Sequence, residues 1–479
     1  MKAITKNIFL NTLACPSLGW LLRANKVSDQ NGYASKFRLE QGLKVGEMAR
    51  HLHDDGVLIT ELKISDAVTH TKQAIQEDEK ILHEAAFQYE KFVSRADILI
   101  NNLENWQMYE VKSSVNDRSE FIDDMAYTVL IAKLSGLSIK KISLLLLSRD
   151  YRLGQPVSSM FNEIDHTEDV LGKVSEFETY MDLVQQSTFA PKKPDPTLKF
   201  ECKKCDEFDN CFEENILHHI FDLPRLSKSK FNQLKDMGII SIPDIPKSFK
   251  LTANQEVIRS SVQSNTFTIN KNLSSLLNEV IWPAYYLDFE TVMTAIPLYP
   301  DVAPYSQILT QYSIHKCASI DDVIEHSEFL ADPLKDSRKE LTEQLISDLG
   351  ETGSIIVYSH FEKTQINGLI KIFPEYQIQL QSIIDRLVDL EKIIKNGFYH
   401  PDFHGSSSIK KTLPALVPEM SYEGLEISNG ENAMAAFALM ALNQVEEDDM
   451  QLIKKNLLKY CKQDTYAMVR LHSKLSEFS

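Results

Sequence analysis

The chain has 479 residues, of which 43% are hydrophobic and 25% are charged, and its formal net charge is −17. This length predicts two or three domains, and the composition is that of an ordinary globular protein. Because the chain lacks a run of about 18 apolar residues, we expect no membrane span and a cytoplasmic location. The acidic balance argues against a protein that coats nucleic acid through a basic surface, but clustered acids are also metal ligands, so a nuclease is not excluded.

The first half of the chain mixes helical and strand patterns. Residues 64–93 carry apolar side chains at helical spacing and predict a largely helical region. Residues 96–100, 106–111 and 141–147 predict strands, and residues 121–134 predict a helix that ends near Gly136. The polar residues 260–272 are interpreted as a linker. We place an N-terminal domain at residues 1–221, a helical connector at 222–280 and a C-terminal domain at 281–479.

An aspartate and a Glu-x-Lys sequence lie on two successive predicted strands. Asp97 is on the first of them, and Glu110 and Lys112 alternate on the second. Residues two apart on a strand share a face. An Asp and a Glu can hold one metal ion there, while the Lys112 ammonium can position a water or a phosphate. The alternative is an exposed hairpin whose ion pair contributes about 0–1 kcal/mol.

Four of the six cysteines lie towards the two ends of the predicted N-terminal domain: Cys15, Cys202, Cys205 and Cys211. In a chain without signs of export, cysteines are more typical of metal binding or buried thiols than of disulfides. The remaining two cysteines are isolated and are interpreted as core thiols.

The most distinctive stretch is an apolar, strand-like run that leads to Asp288 and Glu290. Alternate residues of a strand point to the same side, so both acids emerge on one face. Like charges held this close repel each other unless a cation lies between them, and a divalent metal is the simplest partner. The alternative is a strand that ends in two solvated acids. Near the C-terminus, residues 457–471 have helical periodicity and place Tyr460 on the same face as Asp464.

Together these two motifs resemble the DnaQ-like (DEDD) 3′–5′ exonucleases, in the subclass that has a tyrosine near the last acid. The resemblance covers residues 281–479 and implies an RNase H-like fold. It also implies that Tyr460 orients the attacking water. Asp389 ends another apolar segment and is a reserve ligand, and Lys410, at the start of a predicted helix, is either a phosphate contact or a solvated side chain. Glu362 stands where the family usually has Asp. Two Mg²⁺ or Mn²⁺ ions are then held by four acids: Asp288, Glu290, Glu362 and Asp464.

The N-terminal half resembles the PD-(D/E)xK nucleases, and within them the RecB-like group that includes the CRISPR-adaptation nucleases. That group usually has a His and a Glu on the first core helix. Here Gly46 stands at the position of the His, and Thr128 replaces a Gln of the family. Either Glu47 takes the acidic role or the site lacks that ligand. The group often carries a [4Fe-4S] cluster on one cysteine before the core and three after it, with zinc as the chemical alternative. The matching cysteines here are Cys15, Cys202, Cys205 and Cys211.

The order of the two halves resembles a bacterial family that joins a RecB-like iron–sulfur nuclease domain to a DnaQ-like exonuclease domain. We therefore expect an α/β protein with a restriction-endonuclease-like core, then a helical connector, then an RNase H-like exonuclease fold. The expected activity is metal-dependent cleavage of DNA rather than RNA, in repair or in defence against mobile elements, with no membrane partner. Two alternatives stay open: an RNA-processing exonuclease, because the acids do not read the 2′-OH, and a nucleic-acid-binding scaffold with one or both sites inactive.

Overall fold

The computed structural model describes residues 3–27, 32–102, 105–212 and 216–479. These residues form a mixed α/β protein with 18 α-helices and three sheets, which confirms the predicted α/β class. The chain divides into unit 1, Met1–Glu213 with Met293–Ser306, and unit 2, Glu214–Val292 with Gln307–Ser479. The predicted connector at residues 222–280 lies inside unit 2. Within the described ranges, no helix has both the length and the apolar character that crossing a membrane requires.

Unit 1 is built on a six-stranded sheet of order β1-β2-β3-β4-β5-β6. Strands β3 and β4 form an antiparallel hairpin, and β4 runs parallel to β5. The strands are β1 (Val57–Leu58), β2 (Ile81–Tyr89), β3 (Phe92–Asn101), β4 (Trp106–Lys112), β5 (Ile139–Leu147) and β6 (Phe161–Asp165). The helices are α1 (Lys6–Ala14), α2 (Pro16–Ala24), α3 (Tyr33–Arg50), α4 (Ile64–Gln76), α5 (Ser119–Leu134), α6 (Thr167–Glu178), α7 (Met181–Thr188) and α8 (Phe208–Cys211).

The three predicted strands and the predicted helix before Gly136 are confirmed by β3, β4, β5 and α5. The helical interpretation of residues 64–93 is wrong in its second half, because only α4 is helical and β2 follows it. Residues of β2 are buried on both faces of the sheet, and a strand buried on both faces carries no alternating pattern that separates it from a buried helix.

Residues 293–306 belong to unit 1 although they follow a strand of unit 2 in sequence. The backbone N–H of Ala295 donates to Gln41 Oε1 at 2.7 Å. The Tyr305 hydroxyl lies 2.6 Å from Ser113 Oγ, directly after β4. Ala295 also packs with Val45 of α3 in a small buried cluster. Hydrogen bonds and apolar burial together hold this segment on unit 1.

Unit 2 contains a five-stranded sheet of order β10-β9-β8-β11-β12 and a two-stranded sheet of β13 and β7. Its strands are β7 (Thr268–Ile269), β8 (Ala284–Val292), β9 (Ile308–Ser319), β10 (Asp322–Leu330), β11 (Ile355–Val357), β12 (Leu387–Asp389) and β13 (Phe398–Tyr399). Its helices are α9 (Lys228–Asp236), α10 (Ala253–Ser264), α11 (Leu273–Leu277), α12 (Arg338–Leu349), α13 (Phe361–Ile372), α14 (Gln377–Asp385), α15 (Leu390–Gly397), α16 (Ile409–Leu416), α17 (Gly430–Ala441) and α18 (Glu447–Ser476).

The predicted linker at residues 260–272 is wrong, since this stretch completes α10 and forms β7. The helix begins with a capping box in which Thr252 and Gln255 satisfy each other's backbone N–H groups. That sequence signal was present, but the polar composition of the following residues obscured it.

The central strand β8 has a different core on each of its two faces. Tyr285, Leu287 and Phe289 pack in a cluster with residues of α12, α13 and α14. Ala284 and Tyr286 pack on the opposite side with residues of α15, α16 and α18. The alternation of a strand therefore points the even-numbered residues of β8 towards α18. The two acids of β8 are even-numbered and share that face.

His472 of α18 is a buried histidine in this second core. Its Nδ1 lies 2.7 Å from the Tyr286 hydroxyl, and its ring stacks on Trp282 at a centroid distance of 5.9 Å. Burial lowers the pKa of His472 to about 4. Between that value and about 6.5, the unfolded chain binds a proton that the folded chain does not bind, so the free energy of unfolding decreases as the pH falls through this window.

We expect His472→Phe to make the protein less sensitive to acid. The variant loses stability at pH 7.5 because the Tyr286 hydroxyl loses its partner, but its free energy of unfolding relative to that of wild type increases by about 2 kcal/mol between pH 7.5 and pH 5.0, because the contribution of His472 is removed. Urea unfolding at both pH values measures the difference. Replacement of the exposed His51 by Asn serves as the control and retains the wild-type difference. An unchanged pH dependence in His472→Phe would contradict the assignment.

Candidate functional site

Strand β8 ends at a cluster of carboxylates in unit 2. Asp288 and Glu290 leave the same face of β8, and Asp464 reaches them from α18. One oxygen of each carboxylate lies within 4.8 Å of the others. The pairing of β8 with β9 shifts register between Glu290 and Thr291, and such bulges re-aim side chains next to functional sites. The strand and helix periods thus bring together three of the four acids in the predicted set.

The cluster lies where the connections of the sheet change direction. β8 has the antiparallel β9 on one side and the parallel β11 on the other. In open α/β sheets, ligands bind beyond the carboxyl ends of strands at such a switch point. The acids occupy the last half of β8, which is the end that this rule identifies.

The electrostatics of the cluster are those of negative charges crowded together. Burial raises the pKa of Asp288 well above its usual range, and the surrounding carboxylates raise it further. Burial and Asp464 do the same to Glu290, while the Lys410 ammonium opposes the shift. Burial raises the pKa of Asp464 to about 6. A bound cation would relieve this repulsion.

Two tyrosines and a cysteine hold the acids in place. The hydroxyl of Tyr422 donates to Asp464 Oδ1, and the Tyr460 hydroxyl lies close enough to lower the pKa of Asp464. Both hydroxyls favour the charged form of the carboxylate. The Cys461 thiol donates to Asp288 Oδ2 at 3.4 Å. Tyr460 therefore lies in the cluster as predicted by the helical spacing, while the contacts of Tyr422 and Cys461 were not predicted.

Glu362 lies in the first turn of α13, just after β11. It is 2% exposed, and its Oε2 has no hydrogen-bond partner in the described part of the chain. Burial, together with Asp389, raises its pKa to about 8. Its charge also acts on Asp288. It does not belong to the group of three within 4.8 Å, so the structure places it beside that group.

Asp389, the predicted reserve ligand, is engaged elsewhere. Its Oδ1 accepts the backbone N–H of Lys392 at 2.9 Å and caps α15. Its Oδ2 lies 3.3 Å from His360 Nδ1. Lys410 is close to the acids: its charge acts on Asp464, and its Nζ donates to the carbonyl of Ser428 at 3.0 Å.

A second group of charges lies in unit 1. Asp97 Oδ2 accepts the backbone N–H of Val111 at 2.6 Å, across the β3–β4 hairpin. Glu110 is 2% exposed, and Lys112 Nζ donates to its Oε1 at 2.9 Å. Burial and the Glu110 charge raise the pKa of Asp97 to about 8. The three residues predicted from the Glu-x-Lys pattern are thus brought together.

Lys6 and Asp124 complete this group, and neither was predicted as a member. Lys6 of α1 donates to Glu110 Oε1 at 2.7 Å, and Lys112 donates to Asp124 Oδ2. Burial raises the pKa of Glu110, but the ammonium groups of Lys6 and Lys112 outweigh it and lower this pKa to about 2. Oε2 of Glu110 has no hydrogen-bond partner within the described ranges.

Glu47 does not join the charges of unit 1. It pairs with Lys44 at 2.8 Å on the exposed side of α3. Arg50, one turn further along α3, instead reaches Glu84 of β2 at 3.6 Å. The charge of Glu84 raises the pKa of Asp97 after the stronger effects of burial and Glu110. Glu84 is therefore the additional acid that the structure places near Asp97.

The four predicted cluster cysteines are close enough for their thiols to affect one another's pKa. Burial raises the pKa of the Cys211 thiol, and the other three thiols contribute to the same direction. Within the described residues, these sulfurs do not form a group of three within 4.8 Å of one another. Four-coordinate zinc with Zn–S distances of about 2.3 Å would bring every pair of sulfurs to about 3.8 Å.

The segment that leads to these cysteines is hydrogen-bonded to α2 and to the end of α1. The Ser17 hydroxyl donates to the carbonyl of Pro194 at 2.8 Å, and Trp20 Nε1 donates to the carbonyl of Ala190 at 2.9 Å. Lys199 Nζ donates to the carbonyl of Ala14 at 2.9 Å. These bonds connect the start of the chain to the region around Cys202.

Comparison with known proteins gives matches without an assigned activity. A domain of unknown function, DUF2779, matches residues 285–408, a span that includes the two acids of β8 and Glu362. Uncharacterized protein MG366 of Mycoplasma genitalium is 26% identical over 224 residues, which are 43% of this chain and 34% of MG366. The MG366 homolog of Mycoplasma pneumoniae is 27% identical over 305 residues, 59% of this chain and 44% of that protein.

Two further similarities are more distant. Uncharacterized protein UU173 of Ureaplasma parvum is 24% identical over 206 residues, 38% of this chain and 30% of that protein. The matches with these curated relatives therefore span less than half of each relative's own length. The crystal structure of SSO0001 is similar at 14% identity, over 40% of this chain and 92% of that one, with a TM-score of 0.17, which is too low to bear on the fold.

Proposed function

We propose that the chain is a metal-dependent nuclease that acts on DNA, with a 3′–5′ exonuclease site of the DnaQ-like type in unit 2. The observation that carries the proposal is the convergence of Asp288, Glu290 and Asp464 within 4.8 Å. Three negative charges at this distance are costly unless cations neutralise them. The residues of the site fit that requirement.

The donor set suits hard divalent cations. Mg²⁺ and Mn²⁺ prefer carboxylate oxygens, and Asp288, Glu290, Glu362 and Asp464 supply four carboxylates. The orphaned Oε2 of the buried Glu362 supports its inclusion. When bound, two such ions activate water at neutral pH and stabilise the leaving 3′ oxygen.

The other side chains of the site prepare it for a nucleotide. The hydrogen bond from Tyr422 fixes the orientation of Asp464, and Tyr460 lies beside the same carboxylate. In the exonucleases that this half resembles, the residue at the place of Tyr460 aligns the attacking water. Lys410 provides a positive charge beside the acids and can meet a substrate phosphate. The site therefore has an assignable role for each of its polar groups.

Unit 1 is proposed as a second nuclease site of the PD-(D/E)xK type. Asp97 and Glu110 would hold a metal ion, with Lys112 beside the scissile phosphate. The four cysteines would bind a [4Fe-4S] cluster, as in the group that this half resembles, with zinc as the chemical alternative. Iron, acid-labile sulfide and zinc contents of anaerobically purified protein distinguish the two. We infer a cytoplasmic role in DNA repair or in defence against mobile elements.

One observation favours a scaffold role for unit 1. Lys6 and Lys112 already occupy Oε1 of Glu110 at 2.7 and 2.9 Å. A metal ion must compete with these ammonium groups for the same carboxylate. In the scaffold alternative, unit 1 binds nucleic acid without cutting it and unit 2 is the only active nuclease.

Cleavage of end-labelled DNA tests the proposal. Wild-type protein with Mn²⁺ is expected to shorten single- or double-stranded DNA, and EDTA is expected to stop the reaction. Asp288→Ala is expected to abolish the removal of terminal nucleotides, because it removes a ligand from the centre of the cluster. Lys112→Ala is expected to abolish a separate cut if unit 1 is catalytic. The double variant should retain neither activity.

Asp385→Ala, which replaces an exposed acid of α14, is the matched control and should behave as wild type. If Lys112→Ala has no effect while Asp288→Ala is inactive, unit 1 has the scaffold role, in which it binds nucleic acid without cutting it. If matched RNA is degraded faster than DNA, the RNA-processing alternative replaces the DNA assignment. A wild-type protein that cuts neither substrate with Mn²⁺ would refute the nuclease proposal.

A further inference from the structure

A histidine–aspartate–histidine group lies in unit 2 and takes no part in the proposed reaction. It consists of His218, Asp222 and His404, each of which offers a ligand atom within 4.8 Å of the others. His404 Nδ1 lies 3.0 Å from Asp222 Oδ2. The rings of the two histidines stack with centroids 5.0 Å apart.

Two short pieces of chain bring these residues together. Asp222 ends a 3₁₀ turn, Ile220–Asp222, and His404 follows another, Pro401–Phe403. Gly405 has a φ of +70°, and a Cβ added there would lie 1.5 Å from the carbonyl oxygen of Asp222. Only glycine allows the backbone after His404 to approach Asp222 this closely. The packing therefore fixes the distance between the two pieces.

The polar atoms of the group are incompletely satisfied. His218 is 8% exposed, and its Nδ1 is buried without a hydrogen-bond partner in the part of the chain that the structure describes. A buried polar atom without a hydrogen-bond partner destabilises the folded state. A metal ion is a partner that would remove this destabilisation.

We propose that His218, Asp222 and His404 bind a divalent transition metal, with zinc the best match. Two imidazoles and one carboxylate are typical zinc ligands, and they leave a fourth tetrahedral position for water. At bond lengths of about 2.0–2.2 Å, tetrahedral ligand atoms lie about 3.3–3.6 Å apart, so His404 Nδ1 and Asp222 Oδ2, now 3.0 Å apart, would separate by a few tenths of an ångström to hold the ion. The imidazoles disfavour Mg²⁺ and Ca²⁺, which prefer oxygen.

The site would connect the region before α9 to the segment before α16. Both regions line the same cleft of about 830 Å³, the first with Pro224 and Arg225 and the second with Phe403 and Gly405. Metal binding that closes a long loop offsets its chain entropy. The metal would thus stabilise the cleft by holding these two walls together, independently of any nuclease chemistry.

Zinc retention by the full chain tests the proposal. Metal-depleted protein is incubated with Zn²⁺, desalted and analysed for zinc by mass spectrometry. His218→Ala and His404→Ala are each expected to retain about one equivalent less zinc than wild type, because the cysteines and the acidic cluster contribute equally in all three proteins. The rise in Tm that Zn²⁺ causes should also be smaller in both variants.

His51→Ala is the matched control, because it removes another His–Asp pair, 2.9 Å from Asp54, that lacks a third ligand. It should retain as much zinc as wild type. Asp222→Asn, which preserves the size of the side chain, provides the comparison if an alanine variant fails to fold, as judged by its circular dichroism spectrum. Equal zinc contents in wild type and in the folded variants would overturn the proposal.

Discussion

Asp288→Asn is expected to inactivate the exonuclease and, at the same time, to stabilise the metal-free protein. Loss of a partner that only orients a metal ligand costs about 10–100-fold in activity, so loss of a direct ligand should exceed 100-fold. The side chain keeps its size and can still accept the Cys461 thiol. Any change in the free energy of unfolding is therefore caused by removal of the negative charge.

The gain in stability follows from the repulsion within the cluster. The pKa of Asp288 is raised by burial and by its acidic neighbours, so its charged form is disfavoured in the folded state. Replacing such a buried charge by a neutral group of the same shape is expected to add about 1–3 kcal/mol to the free energy of unfolding at pH 8 without metal. Urea unfolding in EDTA measures this gain.

The sign of the pH dependence follows from the same shifts. A carboxyl with a raised pKa contributes stability below its unfolded pKa, and that contribution is lost as the pH rises through the folded pKa. For Asp464 and Glu362 the folded values are about 6 and about 8. Metal-free wild type should therefore lose stability between pH 5 and pH 9, and Asp288→Asn should lose less.

Without metal, Asp288→Asn is expected to be the more stable protein. Mn²⁺ should reverse this order, because it should stabilise wild type more than Asp288→Asn. The control is Asp385→Asn on the exposed side of α14, which is expected to follow wild type in activity and stability. A variant that remains active, or whose metal-free stability equals that of wild type at every pH, would show that Asp288 is not held in a repulsive metal site.

The parts of this site that could be predicted from sequence are those set by a local period. The alternation of β8 placed Asp288 and Glu290 on one face, and the helical spacing of α18 placed Tyr460 with Asp464. Tyr422 carries no such signal, because it lies in an irregular segment and meets Asp464 across 42 positions of sequence. Contacts of that kind arise only from tertiary packing.

The same distinction between local periodicity and tertiary packing explains which elements of the fold could be predicted. Strands β3, β4 and β5 were predicted, but β2 was not, since a strand buried on both faces has no alternating pattern. The His–Asp pair of unit 2 joins positions 182 residues apart, in segments with no regular periodicity. Lys6 meets Glu110 across 104 positions, and nothing near Lys6 in the sequence identifies its partner.

Lys6→Met is expected to make the stability of unit 1 depend on a bound metal ion, because it removes one of the salt bridges that now neutralise Glu110. Glu110 and Asp124 pair with the two ammonium groups of Lys6 and Lys112, so most of their charge is already compensated. The acidic cluster of unit 2, in contrast, has Lys410 as the cation acting on its central acids in the described part of the chain. Removing Lys6 leaves the buried Glu110 with one ammonium group.

The expected cost of this change in metal-free protein is about 2–4 kcal/mol, somewhat less than for a buried ion pair that loses its sole partner. Mn²⁺ should recover most of the loss, because one ammonium group fewer then competes for Oε1 of Glu110, while Oε2 has no hydrogen-bond partner in the described residues. The measurement is the change in Tm with Mn²⁺ in the Asp288→Asn background, which removes the contribution of unit 2. The double variant Asp288→Asn/Lys6→Met should gain more from Mn²⁺ than Asp288→Asn alone.

Lys133→Met is the matched control, since it removes an exposed pair with Glu178 at 2.8 Å. Such a surface pair contributes about 0–1 kcal/mol, and its loss should not change the response to Mn²⁺. If Lys6→Met is destabilised and Mn²⁺ does not raise its Tm, Glu110 is a structural ion-pair partner and unit 1 has the scaffold role. If Mn²⁺ restores stability and DNA cleavage by unit 1 increases, Lys6 competes with the metal and sets the concentration at which this site becomes active.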